Sequence, residues 1–520
     1  MDLELYDCTL REGEQSAGAS FSLEDRVDLF RRLDDFGIEI IEGGWPVAGE
    51  EILDSFKLFR GVRKKAKISA FGSTSIAKNP REDANLRCLL ETKADYACIF
   101  GKTWKDQVAK QLRISSEENL DKIRQSVLFL ISNRMPVMYD AEHYFDGFKQ
   151  DKAYSIETLV SAAKAGAERL ILCDTNGGCI PIEVEKIVRE TKQALVSRGV
   201  NTDLGIHLHD DCGFALANTV VSLPYIRQVQ GTINGIGERV GNLNFSEFIP
   251  VYIKKLGGKL SVNLKDMKEL NEESFRLSGM NIPDLRAFVG DTAFAHKGGV
   301  HIDATHKGAS YEHASPEDFG NRRIILLNTL GGKAGVIKVA EYFGYKLDKK
   351  NKDVEGKVEA LFVQLRDMEN KGYRIGGVEA EQYLLIERYF GNLENYFDVE
   401  DWDARTGRRN EREISSFDGT FNINGERILD GVVVEGGPVD AAYKTFRKTL
   451  ESHYPRIKDL ILKDYHVGIA RSRKEESTVR VKVTFENGRD FQTVGVNSNI
   501  IEASLEAISK GFRYFLNTTR

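Results

Sequence analysis

The chain has 520 residues, 41% of them hydrophobic, which is more than one core usually serves, so two or three domains that fold without staples are expected. A net charge of −6 without long single-sign blocks leaves no electrostatic footprint for nucleic acid or an anionic membrane, and no apolar run approaches a bilayer span. Leu3–Leu10 lacks the parts of a signal peptide, and the six cysteines (8, 88, 98, 173, 179 and 212) lack Cys-x-x-Cys spacing and read as reduced thiols, so a cytoplasmic protein with small-molecule chemistry is expected.

Short β-rich runs alternate with helical patterns eight times in the first 260 residues. Strands are expected near 3–10, 38–44, 67–73, 96–102, 136–143, 169–175, 204–210 and 230–236, which predicts a parallel (β/α)8 barrel. In the first helix Ser22 caps with Asp25, Val27, Phe30, Leu33 and Phe36 repeat at helical spacing, and Gly37 ends it; similar starts are expected at Ser115 and Ser155.

After about residue 260 the alternation stops. A mixed helical linker subdomain, 261–375, carries the dense stretch Phe294-Ala-His-Lys-Gly-Gly-Val-His301. Residues 376–520 contain a weak duplication: Val432-Val-Val434 followed by Gly436-Gly-Pro-Val-Asp-Ala441 matches Val494-Gly-Val496 followed by Ser498-Asn-Ile-Ile-Glu-Ala503 at a constant offset of 62. A pseudo-symmetric α/β domain is expected there, whose helix N-termini suit a small anion as well as they suit plain structural duplication.

Chemistry concentrates at the barrel's expected C-terminal face. His207 and His209 alternate along one strand and so share a face, suiting chelation of one metal ion. Seven of the nine histidines lie between His143 and His313. Strand 1 ends in Asp7-Cys-Thr-Leu-Arg-Glu-Gly-Glu-Gln15 and strand 5 in Asp140-Ala-Glu-His-Tyr144, so odd-numbered strands are expected to supply one inward layer. Glu12 would complete a two-histidine, one-carboxylate set, and Arg11 would face an alkoxide developing on a chelated 2-oxo acid. The run Asn234-Gly-Ile-Gly-Glu-Arg-Val-Gly-Asn242 has Gly-x-Gly-x-x-x-Gly spacing, which argues against a dinucleotide site.

Together these segments resemble the acyl-CoA Claisen-condensing enzymes that include the 2-isopropylmalate, homocitrate and citramalate synthases. The resemblance rests on Asp7-x-Thr-Leu-Arg-x-Gly-x-Gln15, His207-x-His209-Asp-x-x-Gly213, Ala217-Asn218, Gly235-x-Gly-Glu-Arg-x-Gly-Asn242 and His296-Lys-x-Gly-x-His301, in that order. Ile41-Glu-Gly-Gly-Trp-Pro46, Phe100-Gly-Lys-Thr-Trp104 and Asp140-Ala-Glu-His-Tyr-Phe-Asp-Gly147 make the citramalate-forming branch the most similar.

The resemblance implies condensation of acetyl-CoA with pyruvate, hydrolysis of the thioester, a place in isoleucine biosynthesis, and feedback inhibition, most often by isoleucine, at a regulatory C-terminal domain. It implies a divalent metal (Zn, Mn, Mg or Co) on Glu12, His207 and His209, with Arg11 on the keto oxygen and Thr175, Tyr144 and Asn242 as substrate contacts. Glu142, His301 and Tyr311 are its candidates for proton transfer. In such enzymes the segment bearing the last two reaches a neighbouring barrel, so a homodimer is implied.

Burying the distal carboxylate of 2-oxoglutarate would require a cation, and Lys102 keeps homocitrate chemistry open; Cys98–Phe100 and Tyr144 favour a small apolar pocket. A metal-dependent C–C lyase and a non-catalytic amino-acid sensor are the readings from other classes.

Overall fold

The computed structural model describes residues 3–281, 283, 285–296, 311–348, 350–409, 411–472 and 477–519. Two compact units divide the chain: Met1–Ala293 with Ala314–Arg322, and Phe294–His313 with Arg323–Arg520. Among the described residues no helix is long and apolar enough to cross a membrane, and the six cysteines are free.

The first unit is a closed parallel barrel of β1 (Glu4–Asp7), β2 (Ile40–Glu42), β3 (Lys67–Ser73), β4 (Tyr96–Lys102), β5 (Val137–Glu142), β6 (Arg169–Asp174), β7 (Asp203–Leu208) and β8 (Gln228–Gly231). Closure comes from β1 against β8, with Leu5 opposite Val229 and Asp7 opposite Gly231. The strands are short and mostly buried on both faces, as helices on the outside and side chains on the inside require. Helix Leu23–Phe36 starts at a Ser22/Asp25 capping box and stops at Gly37, whose φ of 108° suits glycine.

Two sequence expectations shift. The eighth strand begins at Gln228 rather than near 230, and Ile233–Gly235 is a helical turn with Asn234 left-handed at φ 69°. Its Gln228 and Gln230 are buried inside the barrel, so a polar pattern conceals an interior strand. Ser115 caps helix Ser116–Ser132, but Ser155 lies inside helix Lys152–Lys164, where Asp151 is the cap. The buried Ser155 hydroxyl donates instead to the Thr103 carbonyl at 3.0 Å.

In the second unit, β9 (Ala295–His296) pairs with β10 (Ile324–Ile325), and helices Gly332–Tyr342, Lys352–Lys371 and Glu379–Phe390 share an apolar core including Val336, Leu361 and Ile386. The duplication is a repeated three-strand sheet plus helix. β11 (Asp398–Arg409), β12 (Arg412–Ile423) and β13 (Glu426–Glu435) precede helix Pro438–Glu451. β14 (Ile461–Ser472), β15 (Ser477–Glu486) and β16 (Asp490–Asn497) precede helix Ile500–Thr518. The helix starts, Pro438 and Ile500, keep the offset of 62.

One core joins the two halves of this domain, with Phe512 stacked on Tyr443 and Phe446 at 6.0 and 5.8 Å. The exposed polar groups of edge strand β16 are covered: Val494 and Val496 donate their N–H groups to Glu381 and Glu506, and Lys510 bridges both carboxylates at 3.0 and 2.8 Å.

Because Phe512 is fully buried between both halves, Phe512→Ala is expected to destabilise the second unit by about 3–5 kcal/mol. Calorimetric unfolding checks this; an unmoved transition would mean that the two halves do not share one core.

Candidate metal and active site

The turn after β1 sets the site. Asp7 accepts from the Thr9 amide at 2.9 Å and the Thr9 hydroxyl at 2.8 Å, folding the chain from strand into the helical turn Thr9–Glu12. The Thr9 hydroxyl in turn accepts from the Ile233 amide at 2.9 Å, tying this turn to the loop after β8. Burial pushes the Asp7 carboxyl up to about 7.

Arg11 and Glu12 are both buried on this turn. The Arg11 guanidinium donates from Nη1 to Glu12 and from Nε and Nη2 to Glu42 at the end of β2, and it lies 3.6 Å over the Phe71 ring. Glu42 also accepts from the Tyr6 hydroxyl at 2.7 Å. Burial alone would raise Glu12, but Arg11 and the two imidazoles outweigh it and hold its carboxyl at about 2. One oxygen, Oε2, remains buried without a hydrogen-bond partner.

His207 and His209 face this carboxylate. Their rings are 5.3 Å apart, and His207 Nε2 lies 3.8 Å from Glu12 Oε1. Burial lowers His207 to about 4 and lowers His209 as well, so both imidazoles are neutral at pH 7. Glu12, His207 and His209 form the one group of potential ligands among the described residues whose ligand atoms all lie within 4.8 Å of one another. An ionised carboxylate and two neutral imidazoles fit a divalent ion of the Zn, Mn or Co type, and the unpartnered Glu12 Oε2 and His209 Nδ1 leave acceptor capacity for it.

Asn242 completes the surround. Its backbone bridges to His209, and both polar atoms of its buried amide lack partners. The glycines before it serve close packing: a Cβ on Gly237 would lie 2.1 Å from the Asn242 amide nitrogen, and one on Gly241 1.8 Å from the Gly235 carbonyl oxygen.

Other expected residues divide. Glu142, at the end of β5, is paired with the buried Lys102 of β4 at 2.6 Å. Burial first, then the carboxylates of Asp140 and Glu142, raise the Cys173 thiol, on which Arg11 and Glu12 also act, so these groups share one interior. Thr175 accepts the His143 amide through its hydroxyl at 2.8 Å and the Arg239 guanidinium through its carbonyl at 2.9 Å, which makes it a brace between loops.

Tyr144 is corrected. It is fully buried, its hydroxyl is 2.7 Å from Thr191 Oγ1 on helix Pro181–Ser197, and its ring packs on Phe145 and Phe148, so it sits in the helical layer and not in the pocket. Tyr311 is an exposed residue of the second unit, and His301 lies outside the described residues.

The sequence pointed to Cys98–Phe100 as pocket residues but gave no role to Trp45, Phe71, Glu42 or Gln230. Trp45, Phe71 and Phe100 form an aromatic wall beside Arg11, with Phe71 and Phe100 stacked at 5.5 Å and Trp45 edge-on to both. The polar layer also draws Glu42, Cys98 and Gln230 from even-numbered strands β2, β4 and β8, so it is not confined to odd ones. A lone acid ending the apolar run Ile40-Ile-Glu42 and two glutamines at strand spacing were the available signals.

Comparison with known proteins covers the chain in three parts. Residues 2–273 match the HMGL-like family, 288–368 the homocitrate synthase post-HMGL domain-like family, and 378–516 the LeuA allosteric (dimerisation) domain. An (R)-citramalate synthase of Aquifex aeolicus is 38% identical across 98% of this chain and 97% of its own length. One of Geobacter sulfurreducens is 38% identical across 99% and 98%. A probable 2-isopropylmalate synthase of Methanopyrus kandleri is 28% identical across 98% and 97%.

Two ordinary imidazoles, with pKa values near 6.5, would release about 1.5 protons per metal bound at pH 6. With both histidines depressed, binding of Zn2+ or Mn2+ at pH 6 is expected to release well under one proton, measured by calorimetry in buffers of different ionisation enthalpy. Release above one would contradict the neutral pair. His209→Ala is expected to weaken binding by more than about 100-fold, beyond the usual cost of losing an outer partner, without lowering the metal-free melting temperature; unchanged affinity would remove His209 from the site.

Proposed function

The chain belongs to the HMGL-like family of the (R)-citramalate synthases, and from that premise we propose that it condenses acetyl-CoA with pyruvate and hydrolyses the thioester to release citramalate and CoA. The observation that carries this reading is the buried Glu12–His207–His209 cluster with Arg11 against it, in a chain similar to citramalate synthases over nearly its full length. Isopropylmalate synthesis is less supported, since that relative is 28% identical against 38%.

Bound to those three residues, a divalent ion supplies Lewis acidity toward the keto and carboxylate oxygens of the 2-oxo acid. Arg11, oriented by Glu42 and the Phe71 face, presents its guanidinium to the negative charge that develops when the keto carbon is attacked. Asn242 offers its unpartnered amide to the substrate or its ion, and Thr175 braces the loop beside it. We assign Glu142 to removal of a proton from the acetyl methyl, and His301 and Tyr311 to the remaining transfers.

Substrate size follows from the wall and from Lys102. Trp45, Phe71 and Phe100 suit the methyl of pyruvate. A distal carboxylate would need an available cation, and Lys102 is already paired with Glu142. We further assign isoleucine as the effector of the C-terminal domain, isoleucine biosynthesis as the pathway, a homodimer as the working unit, and the cytoplasm as its place.

CoA-thiol release by the metal-loaded full chain, with acetyl-CoA and either pyruvate, 2-oxoisovalerate or 2-oxoglutarate, tests the reaction. Pyruvate is expected to be preferred, with product of citramalate mass; preference for 2-oxoglutarate would contradict the substrate assignment, and no release with any of them the reaction. Isoleucine is expected to lower the pyruvate rate at fixed acetyl-CoA. An unchanged rate would remove it as the effector.

A further inference from the structure

Behind His207 the interior of the barrel holds a polar chain whose other members the proposed chemistry does not use. His207 Nδ1 lies 2.9 Å from Gln230 Oε1, Gln230 Nε2 lies 3.2 Å from Asp140 Oδ1, and the Cys98 thiol donates to the same Asp140 oxygen at 3.0 Å. Gln230 and Asp140 are 1% and 4% exposed, so no solvent competes for these bonds. His207 and Gln230 are register partners on the neighbouring strands β7 and β8, Cys98 and Asp140 sit on the neighbouring strands β4 and β5, and the Gln230–Asp140 bond spans the barrel between the two pairs.

The order of donors and acceptors is determined from one end. As a carboxylate Asp140 can only accept, and it does so from two donors, so in that form the amide group of Gln230 that meets it is the NH2. The amide oxygen of Gln230 then points to His207 and can only accept. His207 must therefore carry its proton on Nδ1, which leaves the Nε2 lone pair bare on the side of Glu12.

We propose that Asp140 and Gln230 are positioning residues for the metal site: together they hold His207 in the Nδ1–H tautomer and at one ring angle, so that Nε2 is presented to the ion before it arrives. The proposal rests on the metal reading of Glu12, His207 and His209. Asp140, two residues before Glu142 on the same strand, thus acts through Gln230 and not on substrate.

Metal-free full-length protein with 15N-labelled histidine, with His207 assigned by loss of its signals in His207→Gln, reads the tautomer directly. A protonated Nδ1 is expected, and a protonated Nε2 would overturn the proposal. Titration with Zn2+ alone then compares variants. Gln230→Leu is expected to bind about 10- to 100-fold more weakly.

The exchange Gln230→Glu with Asp140→Asn keeps an acceptor toward His207 and a donor toward position 230, and is expected to recover affinity to within a few-fold of the original. Loss in Gln230→Leu without recovery in the exchange would assign the effect to packing and overturn the relay, as would undiminished binding in Gln230→Leu. Failure of the unsubstituted protein to bind Zn2+ would instead remove the metal reading itself.

Discussion

One guanidinium shared by two buried carboxylates organises the mouth of this barrel. Glu42 ends strand β2 and Glu12 lies on the helical turn after β1, and each would be costly to bury alone. Arg11 pairs with both, and its flat face rests on Phe71. Removing it would leave two like charges in a low-dielectric interior, so the position of Glu12 depends on it. Its geometry in turn comes from Asp7, whose bonds to Thr9 bend the chain so that Arg11 and Glu12 turn inward.

The same economy of pairing runs through the rest of the interior. Tyr6 donates to Glu42, Gln230 and Cys98 donate to Asp140, and Lys102 forms an ion pair with Glu142. Four of the buried polar atoms left without hydrogen-bond partners, Glu12 Oε2, His209 Nδ1 and both amide atoms of Asn242, belong to the two-histidine, one-carboxylate group and the asparagine that bridges to it. Where most buried polar atoms are matched, a cluster of unmatched ones marks the place of a ligand.

Much of this was legible in the sequence, for physical reasons that can be named. Strand alternation alone put His207 and His209 on one face, and eight alternations of strand and helix gave the barrel. The repeated Val-rich strand and following helix start marked the two halves of the C-terminal domain, though not their extra strands.

Tyr144 misled because alternation ends at His143, whose left-handed backbone at φ 57° turns the chain into a helix before the tyrosine. Gln228 fell outside the expected strand 230–236 and Gln230 drew no role, because glutamines break an apolar pattern; inside the barrel Gln228 donates to Glu4, and Gln230 bonds to Asp140 and His207. Ser155 had a cap's composition, but Asp151 lies four residues earlier and takes that role. The aromatic wall gathers residues from 45 to 100 that no local period connects.

The central claim is that Glu12, His207 and His209 hold one divalent ion against which Arg11 works. Anomalous diffraction at the zinc edge, from crystals grown with Zn2+ and pyruvate, tests it most directly. The predicted result is a single strong peak about 2.0–2.2 Å from a Glu12 oxygen and from His207 Nε2 and a ring nitrogen of His209, with the keto oxygen of pyruvate between the ion and Arg11. A peak elsewhere, or pyruvate bound with no ion beside Glu12, would contradict it.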